Sequence, residues 1–442
     1  MVTASLMQVV ISLLAGIAAI ILLTTKYRVH AFFALLIACF VVGLGVQMSA
    51  AGTITIVKEG FGNIMHSLGL IIVLGTTLGI LLEHTGSTRV MAAYILKKVG
   101  ERHATLAMSI TGFIVGLPIF CDSGYIVLSG LNQSLAKRTG VSIVVMSVAL
   151  ATGLYSVHCL LPPHPGATAA AGTIGADFGK LILIGILVAI PGMLVGYWWA
   201  KYAGKNFQAS MAEKESTETI LDKPSVLQSF LPVILPILLI AINSFVTMGN
   251  KNPAGWEKII SVLGDPVIAL SVGVILALSN GKNWKKSTVS KLLTEAAEKA
   301  GGILVIIGAG GAFGAVLAAT NLGKHFGDAV PLGSLGILFP FLLTFILKTA
   351  QGSSTVAIIT AAAIVLPLLP ALGLDSENGK LVCVLSMGAG SMMISHANDA
   401  YFWVIAKFSG LEMKPMLKVY SVASVLMGLV SLGMVYIISF FL

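Results

Sequence analysis

Asp122, Lys348, Asp399, His158, His164 and His396 are ionisable side chains set in sequence otherwise fit for the interior of a lipid bilayer. Asp122 lies in GLPIFCDSGYIVL (116–128) and the first two histidines in SVHCLLPPHPGATAAAGT (156–173). Lys348 opens KTAQGSSTVAIITAAAIVLP (348–367), and His396 and Asp399 fall in ISHANDAYF (394–402). An ionised group in hydrocarbon is costly unless it faces a cavity or a partner, so such residues mark a pathway or a binding site. Each segment also interrupts its helix, and irregular backbone at membrane depth is tolerated only where protein or a watery cavity satisfies it. Four such breaks imply a cavity.

Each break is followed by a helix-forming run, which points free backbone N–H groups and the positive end of a helix dipole into that cavity. Such ends bind anions. Ser123, Gly124, Ser353, Ser354 and Thr355 add the hydroxyls and open backbone that a carboxylate or polyhydroxylated ligand needs. The same serines could simply cap helices, their commonest role. Lys348, the only lysine or arginine between Lys324 and Lys380, could pair with a substrate carboxylate or snorkel to the surface.

Asp122 would repel a substrate anion if ionised, so its place in an anion site suggests a group that takes up a proton, the form that burial favours. Asp399 and His396 offer the same chemistry in the second half, and His158 and His164 in the first, although a buried histidine satisfied by hydrogen bonds is commoner than a proton relay. Cys121, His158, Cys159 and His164 could be read as metal ligands, but their irregular spacing argues against it. No metal or cofactor is expected.

Apolar helices must position these residues. Of 442 residues, 57% are hydrophobic and only 10% charged, against about 25% charged in an ordinary soluble protein. Apolar runs near 5–24, 30–47, 67–82, 180–200, 228–246, 262–279, 301–319 and 419–442 suit a bilayer core that needs about 20 helical residues per crossing. The alternation of spanning strands is absent. The apolar arms around CDSGY and QGSST are too short for comfortable crossings and read as re-entrant hairpins; the histidine breaks read as broken helices. The expected fold is an all-α integral membrane protein of about 11 to 14 transmembrane segments. The 48 glycines suit helices that approach closely or break.

The lysines and arginines behind the net charge of +9 sit in short loops and form no continuous patch, which fits membrane orientation rather than nucleic-acid binding. Lys26, Arg28, Arg89, Lys97, Lys98, Arg102, Lys282, Lys285, Lys286, Lys291 and Lys299 mark the cytoplasmic side. Both termini then lie outside. The first apolar run is long and lacks a basic start, so it reads as a span rather than a cleaved signal. Cys39, Cys121, Cys159 and Cys383 show no paired spacing. Nor is there a P-loop, a GxGxxG turn or a nucleophile elbow. An integral membrane enzyme would have only His158, Cys159 and His164 to draw on, and a passive anion channel is the other competing class.

Two halves look alike. LGLIIVLGTTLGILLEHTG (68–86) parallels GGILVIIGAGGAFGAVLAATNLG (301–323), and each is followed by a hydroxyl-rich break, a His-containing break and one long span. On the charge count the first of these spans runs inward and its partner outward, an inverted repeat of the kind many secondary transporters use. The expected organisation is N-terminal spans over 1–53, a first repeat over 54–203 with its tip near 121–124, and a cytoplasmic linker over 204–227. Linking spans over 228–283 and a second repeat over 284–442, with its tip near 350–355, follow. The amphipathic stretch STVSKLLTEAAEKA (287–300) reads as interfacial.

GLPIFCDSGYIVL, LPPHPGATAAAGTIGAD, KTAQGSSTVAIITAAAIVLP and SHANDAYFWVIAKFSGL together resemble, in matching order, the gluconate permease (GntP) family of proton-coupled symporters in the wider ion transporter superfamily. Exposed carbonyls at the breaks could hold sodium as the coupling ion, whereas the resemblance implies proton-coupled uptake of small hydroxylated carboxylates across a bacterial inner membrane. It also implies an elevator-like motion of transport domains past a scaffold and, by superfamily analogy, a homodimer. It places Asp122 at the family's hairpin carboxylate, Lys348 at its basic position, and His164, Gln351, Ser353, Thr355, Asn398 and Asp399 in its polar motifs, and Gly352 is a further candidate for substrate binding. Gluconate-type members typically carry Glu and Arg where this chain has Asp122 and Lys348, which changes reach and bidentate geometry. Gluconate, glycerate, another aldonate and D-serine all stay open as substrates.

Overall fold

The computed structural model describes residues 5–205, 207, 224–249, 255–281, 284–320, 332–397 and 399–442, which are helices and their connections with no strand among them. The centre of the expected linker and Asn398 lie outside the described residues. The first half comprises α1 (Leu6–Thr25), α2 (Ala31–Gly45), α3 (Ala50–His84), α4 (Ser87–Val99), α5 (Ala104–Gly116), α6 (Cys121–Thr139), α7 (Ile143–Leu160), α8 (Pro165–Ile174) and α9 (Phe178–Gly204). The second comprises α10 (Val226–Gly249), α11 (Trp256–Leu263), α12 (Pro266–Ser279), α13 (Lys286–Ala319), α14 (Leu338–Gln351), α15 (Ser354–Val365), α16 (Glu377–Met392), α17 (Ala400–Ser409) and α18 (Val422–Ser439).

Among the described residues, eight helical segments are long and apolar enough to cross a membrane, or nine if α11 and α12, bent by 65°, are one span. The larger expected number counts the arms beside the breaks, and α5 and α14, with 13 and 14 residues, are too short to cross alone. The runs at 67–82 and 301–319 prove to be the later parts of helices of 35 and 34 residues. The amphipathic stretch at 287–300 is thus continuous with the span it precedes. No proline interrupts the hydrogen-bond ladder there, and Gly301 and Gly302 weaken a helix without ending it.

α3 and α13 run antiparallel, Gly60 meeting Gly311 and Ala312 while Glu83, near the far end of α3, interacts electrostatically with Lys299 and Glu295. Their crossing requires glycine: a Cβ on Gly60 would stand 2.7 Å from the Gly311 carbonyl oxygen and 2.9 Å from the Ala312 Cα.

α5 runs alongside α7 in the same direction, Gly112 against Leu150 and Gly116 against Val157. α6 runs the other way, with Gly124 on Leu154 and Asn132 Nδ2 donating to Ser147 Oγ at 3.1 Å. α5 and α6 are therefore an antiparallel pair around the break at 117–120. α14 likewise follows α16, with Ser386 Oγ donating to the Ile337 carbonyl at 2.5 Å and Gly390 packed on Phe341. α7 and α16 cross antiparallel through Gly388 on the Cys159 carbonyl and the Tyr155 hydroxyl donating to the Ser391 carbonyl at 3.1 Å.

Buried polar bonds lock these pieces together. Tyr125 on α6 shares a 2.5 Å hydrogen bond with Ser409 on α17, Ser147 on α7 donates to the same hydroxyl at 2.8 Å, and Gln133 Nε2 donates to the Phe408 carbonyl at 2.6 Å. The tip at Leu117 and Pro118 and the break at Pro162 and Pro163 line an apolar crevice with residues of α3, α10 and α12 such as Leu78, Pro236 and Leu270, and meet α3 directly where Gly79 packs on the Pro118 carbonyl and Gly75 on Pro163.

Gly60→Val should destabilise the protein by about 1 to 3 kcal/mol, because the added carbons meet backbone that cannot yield. Thermal unfolding in detergent checks it against Gly62→Val, where a Cβ has nothing within 4 Å and the midpoint should not fall.

Candidate functional site

The four breaks converge. His164, which precedes α8, donates from Nε2 to the Gly116 carbonyl at 2.7 Å, so the first broken helix is joined to the first hairpin. Gly166 packs on Thr355 and Ile358, which joins it to the second hairpin as well. Lys348 on the second hairpin reaches Asp399 at the second broken helix, and the Tyr125 and Tyr401 rings stand edge to face at 6.1 Å. Asp122 lies within electrostatic reach of Asp399.

The second half of this centre is organised around one carboxylate. Lys348 Nζ donates to Asp399 Oδ2 at 2.8 Å and to the Gly352 carbonyl at 3.3 Å, and Lys348 has no exposed surface. Ser395 Oγ donates to the same Oδ2 at 2.5 Å, while Oδ1 accepts from the Tyr401 N–H at 3.0 Å and so caps α17. Ser424 accepts from the Ser395 N–H at 3.0 Å, and Ser421, at the end of a π-helical turn (Met416–Ser421), donates to the Ser395 carbonyl. Ser353 caps α15 by accepting from the Val356 N–H at 3.3 Å, so for this serine capping is the observed role. Gly352 holds φ at +79°, where a side chain would be strained, and turns the chain between α14 and α15. His396 Nε2 donates to the Thr349 carbonyl at 3.3 Å.

The first half is open by comparison. Neither Phe120 before α6 nor His164 before α8 offers a side-chain cap. Asp122, in the first turn of α6, has only the Cys121 thiol as a hydrogen-bond donor among the described residues, at 3.4 Å. Ser123 accepts instead from Lys299 Nζ on α13 at 3.1 Å, and that ammonium sits 4.8 Å from the centre of the Phe120 ring. His158 and His164 stand edge to face at 4.8 Å, with Tyr155 stacked on His158. His158 Nδ1 and, from the second half, both amide atoms of Gln351 are buried without a hydrogen-bond partner among the described residues, the usual mark of a position that a ligand or water completes.

Lys348 and Asp399, singled out on separate grounds, are thus brought into one ion pair, and burial rules out the snorkelling alternative for Lys348. Gly124 packs on Leu154, and Ser354 and Thr355 begin α15 against α8. Sequence reasoning missed Lys299, which it counted only as an orientation charge, and the serines that support Asp399. For Lys299 one signal was present: it is the last charged residue before an uninterrupted apolar run.

The helical fold has counterparts among solved structures. The crystal structure of the Alcanivorax borkumensis YdaH transporter superposes with a TM-score of 0.62, covering 89% of this chain and 90% of that one at 17% identity, a likeness of fold. The sequence profile of the GntP family permeases matches residues 7–441. The chain belongs to this family. A gluconate permease of Pseudomonas aeruginosa is 32% identical over 96% of both chains, and the D-serine transporter DsdX of Escherichia coli K12 is 30% identical over 98% of both. Membership of the GntP family makes this chain a multi-pass membrane permease.

Asp399→Asn should cost about 3 to 5 kcal/mol by leaving the Lys348 ammonium buried and unpaired. Adding Lys348→Met should recover most of that loss in thermal unfolding, because Asn can still cap α17 and no lone charge remains.

Proposed function

We propose that this chain is a proton-coupled symporter that imports a small hydroxylated carboxylate, gluconate or a related sugar acid, across the bacterial inner membrane by elevator-like alternating access. The observation that carries this reading is the contrast between the two carboxylates at the centre. Asp399 is held by a lysine, a serine and a backbone amide, so its acceptor sites and its charge already have partners. Asp122 is in a low-dielectric setting with one weak donor, so it is the carboxylate free to gain and lose a proton. An incoming anion adds negative charge beside Asp122, and a proton on Asp122 relieves it. Substrate and proton then bind together because neither charge is tolerated alone.

The antiparallel relation of α3 to α13 and of α7 to α16 supports two inverted repeats. The apolar lining of the crevice between the hairpin side and α3, α10 and α12 supports motion of one part past the other, with the contact of Lys299 to Ser123 a hydrogen bond that such motion would break. In this reading the first hairpin opens to the cytoplasm, both termini lie outside, and Gln351, Ser354, Thr355, His158, His164 and His396 line the path of substrate or proton. The similarity to a gluconate permease and to a D-serine transporter keeps both substrates in the test.

Purified protein in proteoliposomes should accumulate at least one of labelled gluconate, glycerate and D-serine when an inward proton gradient is imposed. Accumulation that follows a sodium gradient instead would make sodium the coupling ion, and equilibration without accumulation would make the protein a passive permease. Asp122→Asn should abolish proton-driven accumulation while largely sparing exchange of internal for external substrate; equal loss of both would move Asp122 from coupling to substrate binding.

A further inference from the structure

We propose that Lys299 receives the carboxylate of the substrate at the first hairpin, a role that rests on the organic-anion reading above and that Lys348 cannot fill in this conformation. Lys348 is buried, bonded to Asp399 and to the Gly352 carbonyl. To take up a second carboxylate it would have to release Asp399, whose one ion pair among the described residues is with Lys348, and that is strongly unfavourable. Lys299 is exposed and makes no ion pair among the described residues. It reaches the tip of the hairpin nonetheless, donating to Ser123 Oγ at 3.1 Å and lying 4.8 Å from the Phe120 ring centre.

The chemistry of this contact fits a carboxylate. An ammonium has three donors, and one is used on Ser123; a hydroxyl that accepts from an ammonium keeps its own O–H to donate. Two N–H groups of Lys299 and the O–H of Ser123 therefore remain for an anion at the start of α6, an end that has no side-chain cap. Phe120 extends the contact inward, since its ring stands 6.4 Å from the ring of His164. The field of Lys299 also reaches Asp122 and Glu83, so the cation is balanced at a distance while its donors stay available. Because Lys299 belongs to α13 and Ser123 to the hairpin, a carboxylate bridging them would be held jointly by two parts of the protein.

Lys299→Gln should raise KM for a transported carboxylate about tenfold, the loss of one charge-assisted bond, with the maximal rate within twofold of the wild type. Lys299→Arg should stay near the wild type. Lys299→Cys should lose affinity in the same way and regain it when an aminoethyl thiosulfonate restores a positive side chain, whereas a sulfonatoethyl reagent should not restore it. The four native cysteines are buried, so labelling reports on position 299, with wild-type protein as the control. Gluconate, glycerate and D-serine are each tested for slowing that labelling. Slowed labelling of Lys299→Cys in the presence of one of these carboxylates supports the inference even if proteoliposome uptake fails and the transport reading falls; where uptake is measurable, the KM shift and its chemical rescue support it as well. Wild-type uptake with an unchanged KM in Lys299→Gln, or protection by none of the three probes, overturns the role of Lys299 and leaves the transport reading standing.

Discussion

A lysine with no exposed surface has to keep its counter-charge, and in this protein Asp399 supplies it. Lys348 lies in the last turn of α14 and Asp399 caps α17, so the pair fastens the second hairpin to the second broken helix. Ser395 bonds the same carboxylate oxygen, and Ser421 and Ser424 hold the backbone of Ser395, so the constraint extends to α18 and the turn before it. A buried pair of this kind adds little stability compared with apolar packing, but losing one partner is costly. Its effect is to fix geometry.

That fixed half throws the other half into relief. Both helix starts in the second half are capped by their own side chains, Ser353 and Asp399, while both starts in the first half are not. Uncapped N–H groups in a low-dielectric centre need a partner, and the nearby cation comes from α13 rather than from the hairpin. The two halves share an order of elements, yet they differ in how much of their polar chemistry is already used. The uncapped helix starts lie in the first half, and the unpartnered Gln351 amide of the second half lies among the buried polar groups still to be satisfied.

Packing divides along the same lines. Around the centre the helices are joined by buried hydroxyls and by glycines set directly on neighbouring backbone, as at Gly153 on Ser109 and Gly388 on Cys159. Between the first hairpin tip and α3, α10 and α12 the lining is apolar. Directional bonds hold one arrangement, whereas apolar surfaces resist sliding far less, so the division of bond types gives the centre a natural boundary.

The sequence by itself determined a great deal. Apolar runs of bilayer length announced a helical membrane protein, and ionisable residues inside polar breaks announced the site, because each is too costly to keep in hydrocarbon without a purpose. Gly352 and the Pro-rich segment at 162–165 told where helices turn. Periodicity could not show that α3 and α13 extend well beyond their apolar runs, since the amphipathic part of each reads the same whether it lies apart or continues. Nor could it pair Lys348 with Asp399 across 51 residues, or distinguish Ser353 as a cap from Ser123 as an acceptor of a lysine 176 residues away. Those outcomes depend on which helices lie side by side, and long-range packing alone decides whether a buried charge meets a partner or a ligand.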